Sequence, residues 1–214
     1  MSALFDEIAR RLAAGHAASS QRLWSDSRIR HIETFIPAAV LVAITERPRP
    51  GVLLLHRPST MRAHPGQIAF PGGRIDPGET PIEAALREAN EELGIRAQDV
   101  RVIGPSDLYR TGSGYEITPV VAVIPPDLPI HPNPAEVAQW FEAPVDFILD
   151  PANQHTRSVE FEGRTHSFIE IVWNDTRQDH RIWGVTGAIL HNLAVRLDWP
   201  TAPERTDSES TDNA

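Results

Sequence analysis

The stretch Gly73–Ile95, GRIDPGETPIEAALREANEELGI, predicts a loop that leads into an amphipathic helix. Thr80 suits the N-cap, Pro81 suits the first helical position, and Glu83 completes a capping box with Thr80. Gly94 suits the left-handed position that ends a helix. Residues at helical spacing give this helix one apolar face. The members of that face are Ile82, Ala85, Leu86, Ala89 and Leu93.

Three carboxylates, Glu88, Glu91 and Glu92, lie on a different face of the same helix. Like charges at these spacings repel each other by roughly 0.2–0.5 kcal/mol per pair. The helix dipole also disfavours anions in the last turn. The cluster is therefore either a solvated acidic surface or a site for a hard divalent cation, because carboxylate oxygens suit Mg²⁺ or Mn²⁺.

The spacing of glycine and polar residues in this stretch resembles the Nudix box. Gly73 is followed after five residues by Glu79, and seven residues later by the run REANEELGI, Arg87–Ile95. Ala89 alone departs, because a larger aliphatic residue is common there, and this is a packing position. The resemblance favours the cation site over the solvated surface. It implies an α/β fold, an α/β/α sandwich around a mixed β-sheet.

The loop before the box carries a second resemblance, to a signature of coenzyme A pyrophosphatases. Two positions depart from it: Leu55 stands where Thr is usual, and Pro58 stands where a small residue is usual. Neither is a catalytic position. The positions that keep the spacing are Leu53, Leu54, Arg57, Arg62, Gly66 and Phe70–Gly73.

These resemblances imply an activity and a set of roles. Nudix enzymes hydrolyse a nucleoside diphosphate linked to another moiety, and the subfamily cleaves coenzyme A or its acyl derivatives to 4′-phosphopantetheine and 3′,5′-ADP. Glu79 and Arg87 would hold the loop against the helix. Gly72 and Gly73 would let the backbone approach the phosphates. The implied ligands of Mg²⁺ or Mn²⁺ are Glu88, Glu91 and Glu92.

The general base and the substrate contacts are less determined. Glu92 and Glu136 are both candidates for the base, and Glu136 can equally be a plain surface residue. Arg57, Arg62 and His64 are either surface charges or phosphate contacts, where Arg offers a planar fork for two hydrogen bonds. We assign Arg57 and Arg62 to the 3′-phosphate of coenzyme A.

Two other functions stay open. One is a Nudix pyrophosphatase that acts on ADP-ribose, NADH or a nucleoside triphosphate. The other is a nucleotide sensor that binds without cleaving. A sensor is expected to lose one of Glu88, Glu91 and Glu92 and to carry a DNA-binding appendage, whereas all three glutamates are present.

Composition limits the partners. The 214 residues suit one domain with a good core, and a net charge of -9 argues against a nucleic-acid partner held by a broad basic surface. There is no cysteine, which excludes disulfides and thiolate metal sites. Apolar runs are too short to span a membrane, and the first residues lack a signal-peptide core. We expect a cytoplasmic enzyme with a small-molecule substrate and no membrane partner, and a homodimer is left open.

The rest of the chain divides into three parts. Residues 1–34 should form a helix and a connecting segment, residues 35–199 the Nudix domain, and residues 200–214 a disordered acidic tail. Helices are expected over 2–14, 144–149 and 183–197, with a loop over 16–32. Strands are expected over 35–45, 52–57, 67–70, 99–110, 115–124, 136–141, 158–161 and 166–173.

Overall fold

The computed structural model of the chain describes residues 2–18, 22–59, 66–161 and 163–199. Arg62, His64 and the predicted tail lie outside these residues. The helices are α1 (Ala3–Ala17), α2 (Pro81–Leu93), α3 (Val145–Ile148) and α4 (Gly184–Leu197), with 3-10 turns at Ser27–His31, Ala97–Asp99 and Pro151–Asn153. The strands are β1 (Ile36–Thr45), β2 (Gly51–His56), β3 (Ile68–Ala69), β4 (Gly72–Arg74), β5 (Arg101–Pro105), β6 (Tyr109–Arg110), β7 (Tyr115–Ile124), β8 (Gln139–Pro144), β9 (His155–Phe161), β10 (Arg164–Asn174) and β11 (Asp179–Trp183).

Helix α2 forms where its caps predict. Thr80 accepts a hydrogen bond from the Glu83 amide, and Glu83 accepts one from the Thr80 amide at 2.7 Å. Gly94 ends the helix at φ 70°, in the left-handed region that favours glycine. The buried face is shifted slightly from the predicted one, since Ile82 is only half-buried and a carboxylate is fully buried. The buried residues are Ala84, Ala85, Ala89, Glu92 and Leu93.

A mixed sheet lies at the centre of the described part of the chain. Strand β1 pairs in parallel with β7 along all ten of its residues, so its other edge is shared by β2 and β4. Strand β2 pairs with β8 along its whole length, so β1 and β3 share its second edge. The short strands β3 and β4 therefore fill the wedge where β1 and β2 diverge. This wedge brings Gly72 and Gly73 next to α2.

Helices cover both faces of this sheet, which confirms the predicted α/β architecture. Helix α2 packs on one face, against a core that includes Leu41, Leu53 and Leu55. On the other face a larger core contains residues of α1, α4 and the sheet β9–β10–β11. Because β1 is buried on both faces, its sequence IPAAVLVAIT is almost continuously apolar.

The second sheet is where the sequence-based assignment is least complete. Strand β11 was not predicted; its alternation is short, with Asp179 and Arg181 exposed and His180 and Ile182 buried. It also runs directly into α4, so Trp183 was assigned to the helix. Strands β9 and β10 are each longer than predicted.

Three predicted boundaries are wrong, and one further strand was missed. The expected loop over 16–32 contains the end of α1 and a 3-10 turn. The single strand expected over 99–110 is two strands, and its pairing with β7 slips between Val102 and Gly104. Strand β4 was missed inside the Gly- and Pro-rich loop. The strand expected from 136 begins at Gln139, which leaves Glu136 in the preceding turn.

The N-terminal residues pack on the rest of the molecule. Helix α1 crosses α4 so closely that a Cβ on Gly15 would lie 1.9 Å from the Arg196 carbonyl oxygen. Asp26 accepts a hydrogen bond from the Gly112 amide at 2.7 Å. The division at residue 34 stays a prediction. Within the described ranges, no helix is both long and apolar enough to cross a bilayer.

Candidate active site

The buried carboxylate of α2 meets the chain at the wedge between β1 and β2. Glu92 is 3% exposed and accepts a hydrogen bond from the Gly72 amide at 3.0 Å. Burial raises the pKa of Glu92 to about 8; Gly72 and the Arg57 charge oppose that shift, whereas Glu88 and Glu136 add to it. Three carboxylates and one guanidinium therefore act on each other in one small volume.

Glu88 lies one helical turn before Glu92. Its carboxylate lies against Gly73, the residue after the one that bonds to Glu92. A Cβ on Gly73 would lie 2.3 Å from Glu88 Oε1, so a larger residue would push the carboxylate away. Burial raises the pKa of Glu88, although Arg87 partly offsets this. Glycine at this position therefore permits the close approach between loop and helix.

Arg87 connects the loop to the helix. Its Nε donates to Glu79 Oε1 at 2.8 Å, and its Nη2 donates to Glu79 Oε2 at 3.1 Å and to the Arg74 carbonyl at 3.0 Å. Its Nη1 donates to Glu88 at 2.9 Å and to Glu91 at 3.1 Å. These bonds raise the pKa of Arg87 further above its ordinary value, so the cation neutralises part of the acidic cluster.

Glu91 is directed away from its two neighbours. Its side chain is 49% exposed and does not line the cavity beside Glu88 and Glu92. Among the described residues, no three His, Cys, Asp or Glu side chains are arranged to hold a metal ion. The reason is local: Arg87 attracts Glu88 and Glu91, whereas Glu92 bonds to the Gly72 amide. The donor chemistry nevertheless suits a hard divalent cation, since carboxylate oxygens from two adjacent helical turns face one loop.

A cavity of about 430 Å³ opens beside these carboxylates. Its acidic part is formed by Glu88, Glu92 and Glu136, with Arg57, Gly72 and Gly73. The cavity continues past β4 to the opposite face of the sheet, where α4 packs. The residues that line it there include Val40, Ile68, Phe70, Ile117, Val185 and Ile189.

Glu136 reaches this cavity because the end of α2 holds its turn. The Asn133 amide donates to the Glu92 carbonyl at 2.8 Å, which satisfies one of the last carbonyls of the helix. Asn133 Nδ2 then donates to Glu136 Oε1 at 3.2 Å. The same helix thus presents two glutamates and positions the third.

The polar wall of the cavity was not predicted. Thr111, Ser113 and Tyr115 line it, and Tyr115 Oη accepts a hydrogen bond from Arg74 at 3.0 Å. Thr111 and Ser113 belong to the turn between β6 and β7, and Tyr115 is the first residue of β7. The parallel pairing of β1 with β7 brings this turn beside the wedge, and no local pattern indicates that pairing.

Comparison with known proteins agrees with this geometry. The NUDIX domain family model matches residues 35–164. The chain belongs to the Nudix family. A Nudix hydrolase NudL from Photorhabdus laumondii, itself described as uncharacterized, is 44% identical over 161 residues, which cover 75% of this chain and 84% of the relative. The NudL of Cronobacter sakazakii is 42% identical over 161 residues, with 75% and 82% covered.

Solved Nudix structures are similar to this chain at a lower level. The Mycobacterium smegmatis Nudix hydrolase RenU has a TM-score of 0.47 at 26% identity, covering 59% of this chain and 81% of that one. The NUDIX domain of Shewanella oneidensis NrtR, solved with ADP ribose, has a TM-score of 0.43 at 17% identity, covering 64% and 85%. The present Nudix hydrolase is a pyrophosphohydrolase of nucleoside diphosphate-linked substrates, and enzymes of this family generally use divalent metal ions.

Proposed function

We propose that this enzyme hydrolyses the pyrophosphate bond of coenzyme A or its acyl derivatives, giving 4′-phosphopantetheine and 3′,5′-ADP. The observation that carries the proposal is the cavity, where Glu88, Glu92 and Glu136 face the loop Gly72–Gly73. The coenzyme A signature in the preceding loop supports this substrate over other nucleoside diphosphate compounds. Cytoplasmic location and homodimer formation remain predictions.

The carboxylates of α2 would hold the metal, Mg²⁺ or Mn²⁺. Glu88 and Glu92 already face the loop, and Glu91 would join them when Arg87 releases it. A divalent ion held there would neutralise charge on the pyrophosphate and activate a water molecule for attack. Arg87 and Glu79 would keep the loop against the helix throughout, since their two-pronged pair does not depend on Glu91.

Glu136 is the better candidate for the general base. Glu92 is buried and hydrogen-bonded to the Gly72 amide, so its free oxygen is better used as a ligand. Glu136 lines the cavity from a separate segment, a turn that Asn133 holds at the end of α2. It would accept the proton of the attacking water.

The position of Arg57 favours a contact with the pyrophosphate rather than with the 3′-phosphate. Arg57 lines the acidic part of the cavity, and its charge acts directly on Glu92. Its Nε is buried, and no acceptor for it is present in the part of the chain that the structure describes. That donor would bond to a phosphate oxygen. Arg62 then remains the candidate for the 3′-phosphate.

Product analysis tests the proposed function. Purified enzyme is incubated with coenzyme A, ADP-ribose, NADH and dGTP under Mg²⁺ and under Mn²⁺. The expected products are 4′-phosphopantetheine and 3′,5′-ADP, with the highest kcat/KM for coenzyme A compounds. A higher kcat/KM for ADP-ribose, NADH or dGTP would assign the enzyme to that substrate. Binding of all four without cleavage would instead indicate a nucleotide sensor.

A further inference from the structure

The far part of the cavity is an apolar chamber that the proposed reaction leaves without a role. It lies on the face of the sheet that packs against α4, whereas the carboxylates belong to the face that packs against α2. Val40 and Ile117 come from β1 and β7, and Val185 comes from the first turn of α4. We use the name apolar chamber for Val40, Ile68, Phe70, Ile117, Val185 and Ile189.

These side chains are not completely closed off by the core. Val40, Ile117 and Val185 are each half-buried and face the cavity, whereas Ile68 and Ile189 are almost fully buried behind them. An apolar ligand would therefore cover apolar surface that is still open to water. Each methylene group buried in this way should raise affinity about 4-fold.

Two of the threonine hydroxyls beside the chamber are already hydrogen-bonded within the protein. Thr186 Oγ1 donates to the Ile68 carbonyl at 2.9 Å. Thr111 Oγ1 pairs with Ser113 Oγ at 3.0 Å and accepts from the Tyr115 amide at 3.0 Å. A nucleobase placed against Val40, Ile117 and Val185 would lose hydrogen bonds to water that these apolar side chains cannot replace, which is costly. A hydrocarbon chain has no such requirement.

We propose that the apolar chamber binds the acyl chain of an acyl-coenzyme A and makes the enzyme select acyl derivatives over free coenzyme A. The inference rests on the proposed function, in which the pyrophosphate lies at Glu88 and Glu92. The pantetheine arm separates the pyrophosphate from the thioester, and Val40 of the chamber lies beside Gly72, so the arm must fold back for the chain to enter the chamber. Val185 and Ile189 lie one helical turn apart on α4 and set how far the chain extends.

The wall next to Val185 contains a tryptophan that provides a reporter. The Trp183 ring lies 5.6 Å from the Phe168 ring and 5.3 Å from the Arg181 guanidinium, by centroid distance, and it also lines the cavity. Binding of a chain in the chamber should therefore change Trp183 fluorescence. The chain contains other tryptophans, so Trp183→Phe serves as the control. The fluorescence change on binding should be absent in this variant.

The first experiment measures kcat/KM for octanoyl-coenzyme A and for free coenzyme A. The wild-type ratio should exceed ~10, given the gain per buried methylene. Val185→Phe fills the chamber and should lower the ratio by about 10-fold or more, whereas Val185→Ala should move the preference toward longer chains. Val172→Phe, at an exposed position of β10 that does not line the cavity, is the matched control and should leave the ratio unchanged.

The second experiment uses ligands without a pyrophosphate, so it does not depend on catalysis. Octanoyl-pantetheine should bind at least ~10-fold more tightly than pantetheine, followed by Trp183 fluorescence, and Val185→Phe should remove the difference. Equal affinities, or a kcat/KM ratio near one in wild type, would overturn the acyl site. Failure to cleave any coenzyme A compound would instead refute the proposed function, and the pantetheine pair would still decide whether the chamber takes an apolar chain.

Discussion

Glu91 and Glu83 lie on the same helix, and their surroundings give them opposite expected roles. Glu91 is half-exposed, and within the described ranges its side chain bonds to Arg87 alone, so Glu91→Gln should keep the fold. Its kcat should fall by about 100-fold if the residue joins the metal site. Glu83→Ala should do the reverse: it removes the capping bond to Thr80, at a cost of about 1 kcal/mol in stability, and leaves kcat nearly unchanged. Thermal unfolding and kcat of both variants provide the measurement. A Glu91→Gln enzyme with wild-type kcat would exclude Glu91 from the ligands.

Alanine variants of Arg57 and Arg62 should differ in which phosphate group of the substrate they affect. At the pyrophosphate, Arg57→Ala should lower kcat/KM by about 10–100-fold on both coenzyme A and dephospho-coenzyme A, since it removes one charge-assisted bond from each. Arg62→Ala should lower it on coenzyme A alone, because dephospho-coenzyme A lacks the 3′-phosphate. A selective effect of Arg57→Ala would return that residue to the 3′-phosphate.

Single residues also show what local sequence can and cannot predict about the site. Glu88 and Glu92 were identifiable because helical spacing and the box motif are local patterns. The sequence left Glu136 as either a general base or a plain surface residue. It could not decide, because the place of Glu136 in the cavity depends on Asn133 bonding to the end of α2. Thr111 and Tyr115 gave no signal, since they reach the cavity only through the pairing of β1 with β7.

At the scale of elements, α2 should be stabilised by the ion it is proposed to hold. Metal binds the folded protein in preference to the unfolded chain, so saturating Mg²⁺ or Mn²⁺ should raise Tm. A free metal concentration of 100 times Kd should raise the free energy of unfolding by about 2.7 kcal/mol. The Glu88→Gln, Glu92→Gln double variant should show no such increase. Glu33→Gln removes an exposed carboxylate outside the cavity and should retain the full increase. An increase of equal size in the double variant would place the ion elsewhere.

A pair of histidines joins the two sheets and should make their contact sensitive to pH. His56 Nε2 of β2 lies 2.9 Å from His180 Nδ1 of β11, and His180 Nε2 lies 3.0 Å from Asp175 Oδ2. Burial, and then the His180 charge, lower the pKa of His56 below 6.5, whereas Asp175, with a pKa of about 2, stays ionised. Below pH 6.5 the unfolded chain therefore binds this proton more readily than the folded one. The stability from His56 is complete above that pH and is lost as the pH falls.

His56→Gln tests this contribution. The side-chain amide can still bond to His180 but does not titrate, so the loss of Tm between about pH 7.5 and about pH 5.5 should be smaller than in wild type. His155→Gln, at an exposed position of β9, should retain the wild-type pH dependence. A wild-type slope in His56→Gln would assign the pH sensitivity to other groups.

Elements were predictable where their own residues define them. The caps define α2, and continuous apolar runs define β1 and β7. Strands β4 and β11 were missed for a physical reason: each is short, and each is a strand only because a distant segment provides its hydrogen bonds. The Gly and Pro content around β4 and the polar alternation of β11 are equally typical of loops.

At the scale of the whole molecule, the crossing of α1 and α4 can be tested by one methyl group. In an isolated helix, Gly15→Ala should stabilise by about 1 kcal/mol. Here the added Cβ would overlap the Arg196 carbonyl, so the helices must separate, and we expect a net loss of roughly 1–3 kcal/mol. Ala14→Gly, at an exposed position of α1, should cost only the intrinsic ~1 kcal/mol. Chemical denaturation of the three proteins measures this, and a stabilised Gly15→Ala would show that α1 packs differently.

The parallel pairing of β1 with β7 also determines when this protein can fold. Residues 36–45 pair with residues 115–124, and the chain between them contains α2 and most of the site. Closing so long a loop loses chain entropy before any contact compensates for it, so folding should be slow, on a scale of ~ms to s. During synthesis on the ribosome, the edge of β1 that pairs with β7 has no partner until β7 has been made. Strand β1, which is almost continuously apolar, is therefore at risk of aggregation while the residues up to 124 are synthesised.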